Sequence, residues 1–138
     1  MKTSKAVKKI LLVDDDVDDR KYFKEALYAL DPAVKIDEAK DGQQALDYLQ
    51  STSSPLPDYI FLDLRMPRHN GKQCLRQIKA DERLQHIPVI IYTTSEETED
   101  SKEMRALGAV RFISKPSNTD EIYYIISLVL KEQGNAAR

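Results

Sequence analysis

The sequence predicts an α/β fold: five parallel strands in one doubly wound sheet, with helices on both faces. Three observations predict it. Short, wholly apolar runs recur along the chain, at Ile10–Val13, Tyr59–Leu62 and Val89–Tyr92, and strands without alternation must be buried on both faces, as in a parallel sheet. Segments with apolar residues at helical spacing separate them, giving five strand–helix units of about 28 residues each. The runs also stop abruptly at polar side chains, which gathers the chemistry of the chain at one edge of the sheet.

The elements follow in order. Lys2, Lys5, Lys8 and Lys9 make the start of the chain basic; residues 1–8 read as a solvated tail, 9–131 as one domain and 132–138 as a C-terminal tail. Ile10-Leu11-Leu12-Val13 is the first strand and ends at Asp14-Asp15-Asp16. Phe23, Ala26, Leu27 and Leu30 then recur at helical spacing, so a helix spans about Val17 to Leu30 and stops at Asp31-Pro32. Asp18 and Asp19 suit the positive end of its dipole and are assigned to the helix start, outside any site. Val34 to Glu38 is a short, weak strand, and Asp41-Gly42 opens a helix carrying Ala45, Leu46 and Leu49. Residues 51–57, rich in Ser and Pro, form a loop.

Tyr59–Leu62 is a buried strand that delivers Asp63 to its carboxyl end. A helix from about Gly71 to Ala80 follows, with Cys74, Leu75 and Ile78 on one side, then a polar connection over 81–86. Pro88 begins the strand that ends in Thr93-Thr94-Ser95. A charged helix from about Glu97 to Leu107 is closed by Gly108. The fifth strand, Val110 to Ser114, ends in Lys115-Pro116. The last helix runs from about Thr119 to Lys131, capped by Thr119 or Ser117, and buries Ile122, Ile125, Ile126 and Val129.

Composition excludes several function classes. At 138 residues the chain is about one domain. A net charge of -2 lacks the basic excess of a nucleic-acid binder. No apolar run approaches the ~18 residues of a membrane span, and no signal-peptide core opens the chain, so the cytoplasm is the expected compartment. The single cysteine, Cys74, excludes an internal disulfide and reads as packing. His69 and His86 stand in loop contexts without companions at zinc-ligand spacing.

If the strands take the order 2-1-3-4-5, the crevice at the carboxyl edge lies between strands 1 and 3. Asp14, Asp15 or Asp16 then converge with Asp63. Crowded carboxylates repel one another, and such a set of hard oxygen ligands suits Mg2+. The next strands add Thr93 and Lys115. A carboxylate surrounded by a metal site, a hydroxyl and an ammonium has the surroundings needed to take up a phosphoryl group.

Leu12-Val13-Asp14-Asp15-Asp16, Leu62-Asp63-Leu64-Arg65-Met66-Pro67 with Gly71, Tyr92-Thr93-Thr94-Ser95, Gly108-Ala109 and Lys115-Pro116 together resemble the receiver domain of two-component response regulators, over about Lys9 to Lys131. The resemblance implies the flavodoxin-like receiver fold, with Asp63 as phosphoacceptor. It implies a Mg2+ site of Asp14, Asp15, Asp63 and the backbone carbonyl of Arg65, with Asp15/Asp16 as the competing register for the acidic pair. Thr93 would be the switch hydroxyl, Phe112 the switch aromatic and Lys115 the phosphate-bound ammonium. Arg65 and Ser95 occupy positions that tune phosphate lifetime, and the Lys115–Pro116 bond matches one that the family uses in the cis form. The Arg-Met-Pro and Thr-Thr-Ser combinations are similar to those of small stand-alone regulators that work with phytochrome-type kinases.

The implied partners are a sensor histidine kinase or histidine phosphotransfer protein and a downstream protein target, with neither nucleic acid nor membrane. Tyr123, Tyr124 and Leu128 lie away from the buried stripe of the last helix, and a homodimer or partner contact is expected there, on the face of helix 4, strand 5 and helix 5. Two other classes compete. One is an Asp-nucleophile Mg2+ phosphatase, which Leu11–Asp16 superficially resembles, although Val17-Asp18 replaces the Gly-Thr of that motif. The other is a receiver-like module that binds partners without phosphorylation. A flavodoxin-like cofactor protein lacks support because no Gly-rich loop follows the first strand.

Overall fold

The structure is a computed structural model that describes residue 7 and residues 9–51, 55–66, 71–94 and 98–136. Strands and helices alternate: β1 (Lys9–Val13), α1 (Val17–Leu30), β2 (Lys35–Ala39), α2 (Gly42–Gln50), β3 (Tyr59–Leu62), α3 (Gly71–Ala80), β4 (Val89–Thr93), α4 (Thr98–Ala106), β5 (Arg111–Ser114) and α5 (Thr119–Ala136). The sheet is parallel throughout, in the order β2-β1-β3-β4-β5. The central strands β1, β3 and β4 are buried along their whole length, whereas β2, at the edge, buries only Ile36 and Ala39. That half-exposed edge explains why the second strand reads weakly in the sequence.

Successive side chains of each strand point to opposite faces and so feed two cores. Leu11, Val13, Ile60, Leu62 and Ile91 pack with Leu46, Leu49, Leu75, Ile78 and Met104 under α2, α3 and α4. Ile10, Leu12, Phe61, Ile90 and Tyr92 pack with Phe23, Leu27, Ile122, Ile126 and Val129 under α1 and α5. Phe23, Phe61 and Tyr92 meet edge to face in this second layer. Cys74 is buried in the first layer, and burial pushes its thiol pKa up to about 12.

Caps and breaks set the element ends. Asp41 caps α2 by accepting from the Gln44 N–H at 2.8 Å, and Gly108 follows α4 with φ of 113°, a left-handed conformation that favours glycine.

Several details differ from the sequence expectation. The cap of α5 is Asn118, whose side-chain oxygen accepts from the Glu121 N–H at 2.9 Å, and neither Ser117 nor Thr119 takes that position. The helix continues to Ala136 instead of ending at Lys131. Ile125 is only half-buried, at the margin of the stripe formed by Ile122, Ile126 and Val129. The Lys115–Pro116 bond is not cis, and the two isomers of a prolyl bond differ by only about 0.5–1 kcal/mol. His86 is exposed, while His69 lies outside the described residues. No helix among the described residues is long and apolar enough to cross a membrane.

Candidate functional site

The register of the central strands places the site. Val13 pairs with Leu62, so the next residue of each strand, Asp14 and Asp63, leaves the sheet beside the other. Backbone bonds hold both in place: the Asp63 N–H donates to Val13 O at 2.9 Å, and the Asp14 N–H to Ala39 O at 3.0 Å. Gly71 fixes the other side. A Cβ there would stand 2.3 Å from the Asp63 carbonyl oxygen and 2.8 Å from Leu64 Cα, so α3 can start this close to the loop after β3 only with glycine.

One carboxylate oxygen from each of Asp14, Asp15 and Asp63 lies within 4.8 Å of the others. Three hard oxygens at that separation fit a divalent cation whose remaining positions are filled by water or backbone carbonyl. Asp16 has another task. Its carboxylate caps α1, accepting from the N–H groups of Asp18 at 2.9 Å and Asp19 at 3.0 Å. The geometry therefore separates the two registers left open by the sequence, grouping Asp14 and Asp15 with Asp63.

Asp63 is buried, and both of its oxygens face donors. Oδ1 accepts from Thr93 Oγ1 at 2.8 Å and from the Arg65 N–H at 3.1 Å, while Oδ2 accepts from Lys115 Nζ at 3.1 Å. Thr93 ends β4 and Lys115 follows β5; the Lys115 N–H bonds Thr93 O at 2.7 Å and locks the two strand ends together. The same ammonium reaches Asp14 Oδ2 at 2.7 Å and Asp19 Oδ2 at 2.8 Å. Burial works against the charge of Lys115, but its bonds to Asp14 and Asp19 and the nearby charge of Asp63 outweigh it and raise the ammonium pKa. Asp14 moves the other way from a typical carboxylate in a salt bridge. Burial raises its pKa to about 6, against the lowering effect of Lys115 and the Asp16 N–H.

Asp19 and Arg20 belong to this neighbourhood, and the sequence reading left both out. The sequence places Asp19 at the helix start alone, yet it faces Lys115 because side chains in the first turn of a helix lean back toward its N-terminus. That end of α1 opens on the carboxyl edge of the sheet. Arg20 Nη1 donates to Asp14 O at 2.7 Å, and its Nε to Glu38 Oε1 at 3.0 Å, tying the loop after β1 to β2. Of the remaining sequence candidates, the side chain of Arg65 is exposed, and Phe112 is half-buried against the core under α2, α3 and α4. Tyr123, Tyr124 and Leu128 are all exposed on α5. Ser95 lies outside the described residues.

A buried carboxylate with a hydroxyl, an amide and an ammonium around it, beside an acid-lined cation site, can act as a nucleophile toward a phosphoryl group and hold the product. Comparison with known proteins agrees with that chemistry. The family model described as response regulator receiver domain matches residues 10–127. The probable methanogenesis regulatory protein FilR2 of Methanothrix harundinacea is 34% identical over 116 residues, which cover 82% of this chain and 75% of that protein. The crystal structure of the phosphorylated cyanobacterial phytochrome response regulator RcpA superposes with a TM-score of 0.83 at 31% identity, over 90% of this chain and 91% of that one. The Mn2+-bound form of response regulator Rcp1 gives a TM-score of 0.82 at 30% identity, over 90% and 95% of the two chains.

Proposed function

This chain belongs to the response regulator receiver domain family, and on that premise we propose that Asp63 accepts a phosphoryl group from a phosphohistidine of a sensor histidine kinase or histidine phosphotransfer protein. The observation that carries the proposal is the Asp63 carboxylate, buried with Thr93, Lys115 and the Arg65 amide on its two oxygens. An oxygen of Asp63 attacks phosphorus as the bond to the nitrogen of the ring-protonated phosphohistidine breaks, leaving an acyl phosphate on Asp63 and, with the ring's proton retained, a neutral imidazole on the donor. Lys115 and Thr93, freed from the carboxylate oxygens they hold in the resting state, donate to the phosphoryl oxygens. Mg2+ bound by Asp14, Asp15, Asp63 and the Arg65 carbonyl would supply further positive charge at those oxygens. The Mn2+-bound relative supports a divalent cation in a fold of this kind.

The chain works as a phosphoacceptor in the cytoplasm and not as a turnover enzyme, within a domain spanning 9–131. Its output is a change in protein contacts. Once Thr93 turns toward the new dianion, Phe112 repacks, and the face of α4, β5 and α5 changes its affinity for a partner or a second copy. Arg65 and Ser95 bear on phosphate lifetime. Tyr124 and Leu128 supply the apolar centre of the face, whereas Tyr123 lies on the other side of α5, lining a groove with Tyr22, Glu25 and Ala26 of α1.

The test is incubation with a labelled small-molecule phosphodonor and Mg2+. Stoichiometric label is expected on the unaltered protein and none on Asp63→Asn, while equal labelling of the two overturns the assignment. With labelled protein, Thr93→Ala should abolish the phosphate-dependent part of sedimentation or partner binding, and an unchanged response overturns the switch mechanism; the pair Tyr124→Ala, Leu128→Ala should weaken association, and an unchanged response moves the interface elsewhere.

A further inference from the structure

Lys115 Nζ has three N–H bonds to offer and three carboxylates facing it: Asp14 Oδ2 at 2.7 Å, Asp19 Oδ2 at 2.8 Å and Asp63 Oδ2 at 3.1 Å. Two of these, Asp14 and Asp63, are also cation ligands by position. Asp14 Oδ1 already accepts the Asp16 N–H at 3.0 Å and Oδ2 the ammonium, so a divalent cation that reaches Asp14 draws on a carboxylate the ammonium already holds. The two positive charges therefore compete for Asp14. Close approach of both would set like charges against each other, so the ammonium must yield as the cation is bound. Its side chain is only 8% exposed, and a buried ammonium that loses its partner is strongly destabilising.

Asp19 alone among the three partners stands outside the cation trio. It projects from α1 with a side chain 35% exposed, at the margin of a cavity of about 300 Å³ that also touches Tyr22, Tyr92 and Lys115. Its backbone is pinned by the bond to the Asp16 cap. We propose that Asp19 is a positioning residue: it keeps the Lys115 ammonium partnered when Asp14 turns to a divalent cation, and so raises the affinity of the cation site. Without it the ammonium has only Asp14 and Asp63, and holds them against the cation. An acidic residue in a first helical turn is favourable in its own right, but that effect is independent of Lys115. The proposal requires that the two residues be coupled.

The inference rests on the cation site proposed above, and a double-mutant cycle separates the two. Mg2+ affinity is measured calorimetrically, and Mn2+ affinity by the loss of the free-ion paramagnetic resonance signal, for the unaltered protein, Asp19→Asn, Lys115→Met and the double variant. Asp19→Asn should weaken Mg2+ binding about tenfold when Lys115 is present and about twofold or less in the Lys115→Met background. Lys115→Met alone should tighten binding, because the competitor is gone. Asp19→Glu should restore most of the affinity. Equal losses in the two backgrounds, or none in either, overturn the role of Asp19 while leaving the cation site standing. Failure of the unaltered protein to bind Mg2+ or Mn2+ overturns both.

Discussion

At the amino end of β1 the Lys9 ammonium is buried beside Asp37, 3.3 Å from Oδ2, bonded to Pro55 O at 2.9 Å and set over the Tyr48 ring at 5.1 Å. The Tyr48 hydroxyl donates to the same carboxylate. At the carboxyl end of the same strand, Lys115 is buried among Asp14, Asp19 and Asp63, with Asp15 at the rim. The first cluster matches one carboxylate to one ammonium and adds a hydroxyl. The second sets four carboxylates around a single ammonium. Their acids respond in opposite directions. Burial would raise Asp37, but the Tyr48 and Lys9 bonds more than offset it and its pKa falls; burial dominates at Asp14, and its pKa rises to about 6. A polar cluster that satisfies its own charge stabilises the fold, whereas one left with excess charge is completed by something from outside.

The sharpest way to break this comparison is to remove one acid from each end of β1. Asp37→Ala leaves the Lys9 ammonium with a carbonyl alone and the Tyr48 hydroxyl without its acceptor, so unfolding in urea should show a loss of about 2–3 kcal/mol. Asp14→Asn removes a buried negative charge from a site where three carboxylates share one ammonium, and metal-free protein at pH 7 should gain about 1–2 kcal/mol. Added Mg2+ should raise the Tm of the unaltered protein, because the cation binds only the folded site, and should do so far less for Asp14→Asn. If the two variants shift stability in the same direction in EDTA, the contrast between the clusters fails.

The sequence revealed the carboxyl-end cluster and missed the other, for physical reasons. Asp14, Asp63 and Thr93 each follow directly on an apolar run and Lys115 follows the last strand, and in a parallel sheet that position fixes where they go. Lys9 and Asp37 meet because the β1–β2 register pairs Lys9 with Lys35 and puts Asp37 two residues further on, on the same face, a pairing between strands that no local pattern announces. Asp19 lay between these cases. Its place in the first turn of α1 was legible, but its reach to Lys115 depends on the tilt of one helix against a residue 96 positions away. The same limit applies to Asn118, chosen as the cap of α5 over two neighbours of similar propensity.

The smallest expected effect concerns pH and uses the opposite shifts directly. Asp14 faces Lys115, Asp63 and the Asp16 N–H. Its folded pKa of about 6 stands above the ordinary aspartate value of about 4, so between these values the native state binds more protons than the unfolded chain. The stability associated with that proton is fully present below about pH 4 and is lost as pH rises through about 6, at a slope of about 1 kcal/mol per pH unit. Asp37 has the reverse sign: its lowered pKa contributes stability that is present above about pH 4 and lost as pH falls through the folded value. Other titrating groups overlap these windows, so each effect is measured as a difference from its variant in EDTA. The advantage of Asp14→Asn over the unaltered protein should grow from pH 4 to 6 and then level off. The deficit of Asp37→Ala should be constant at neutral pH and shrink below pH 4. A difference for Asp14→Asn that stays flat across pH 4 to 6 would show that its carboxylate is as well paired as Asp37, and the distinction between the two ends of β1 would be lost.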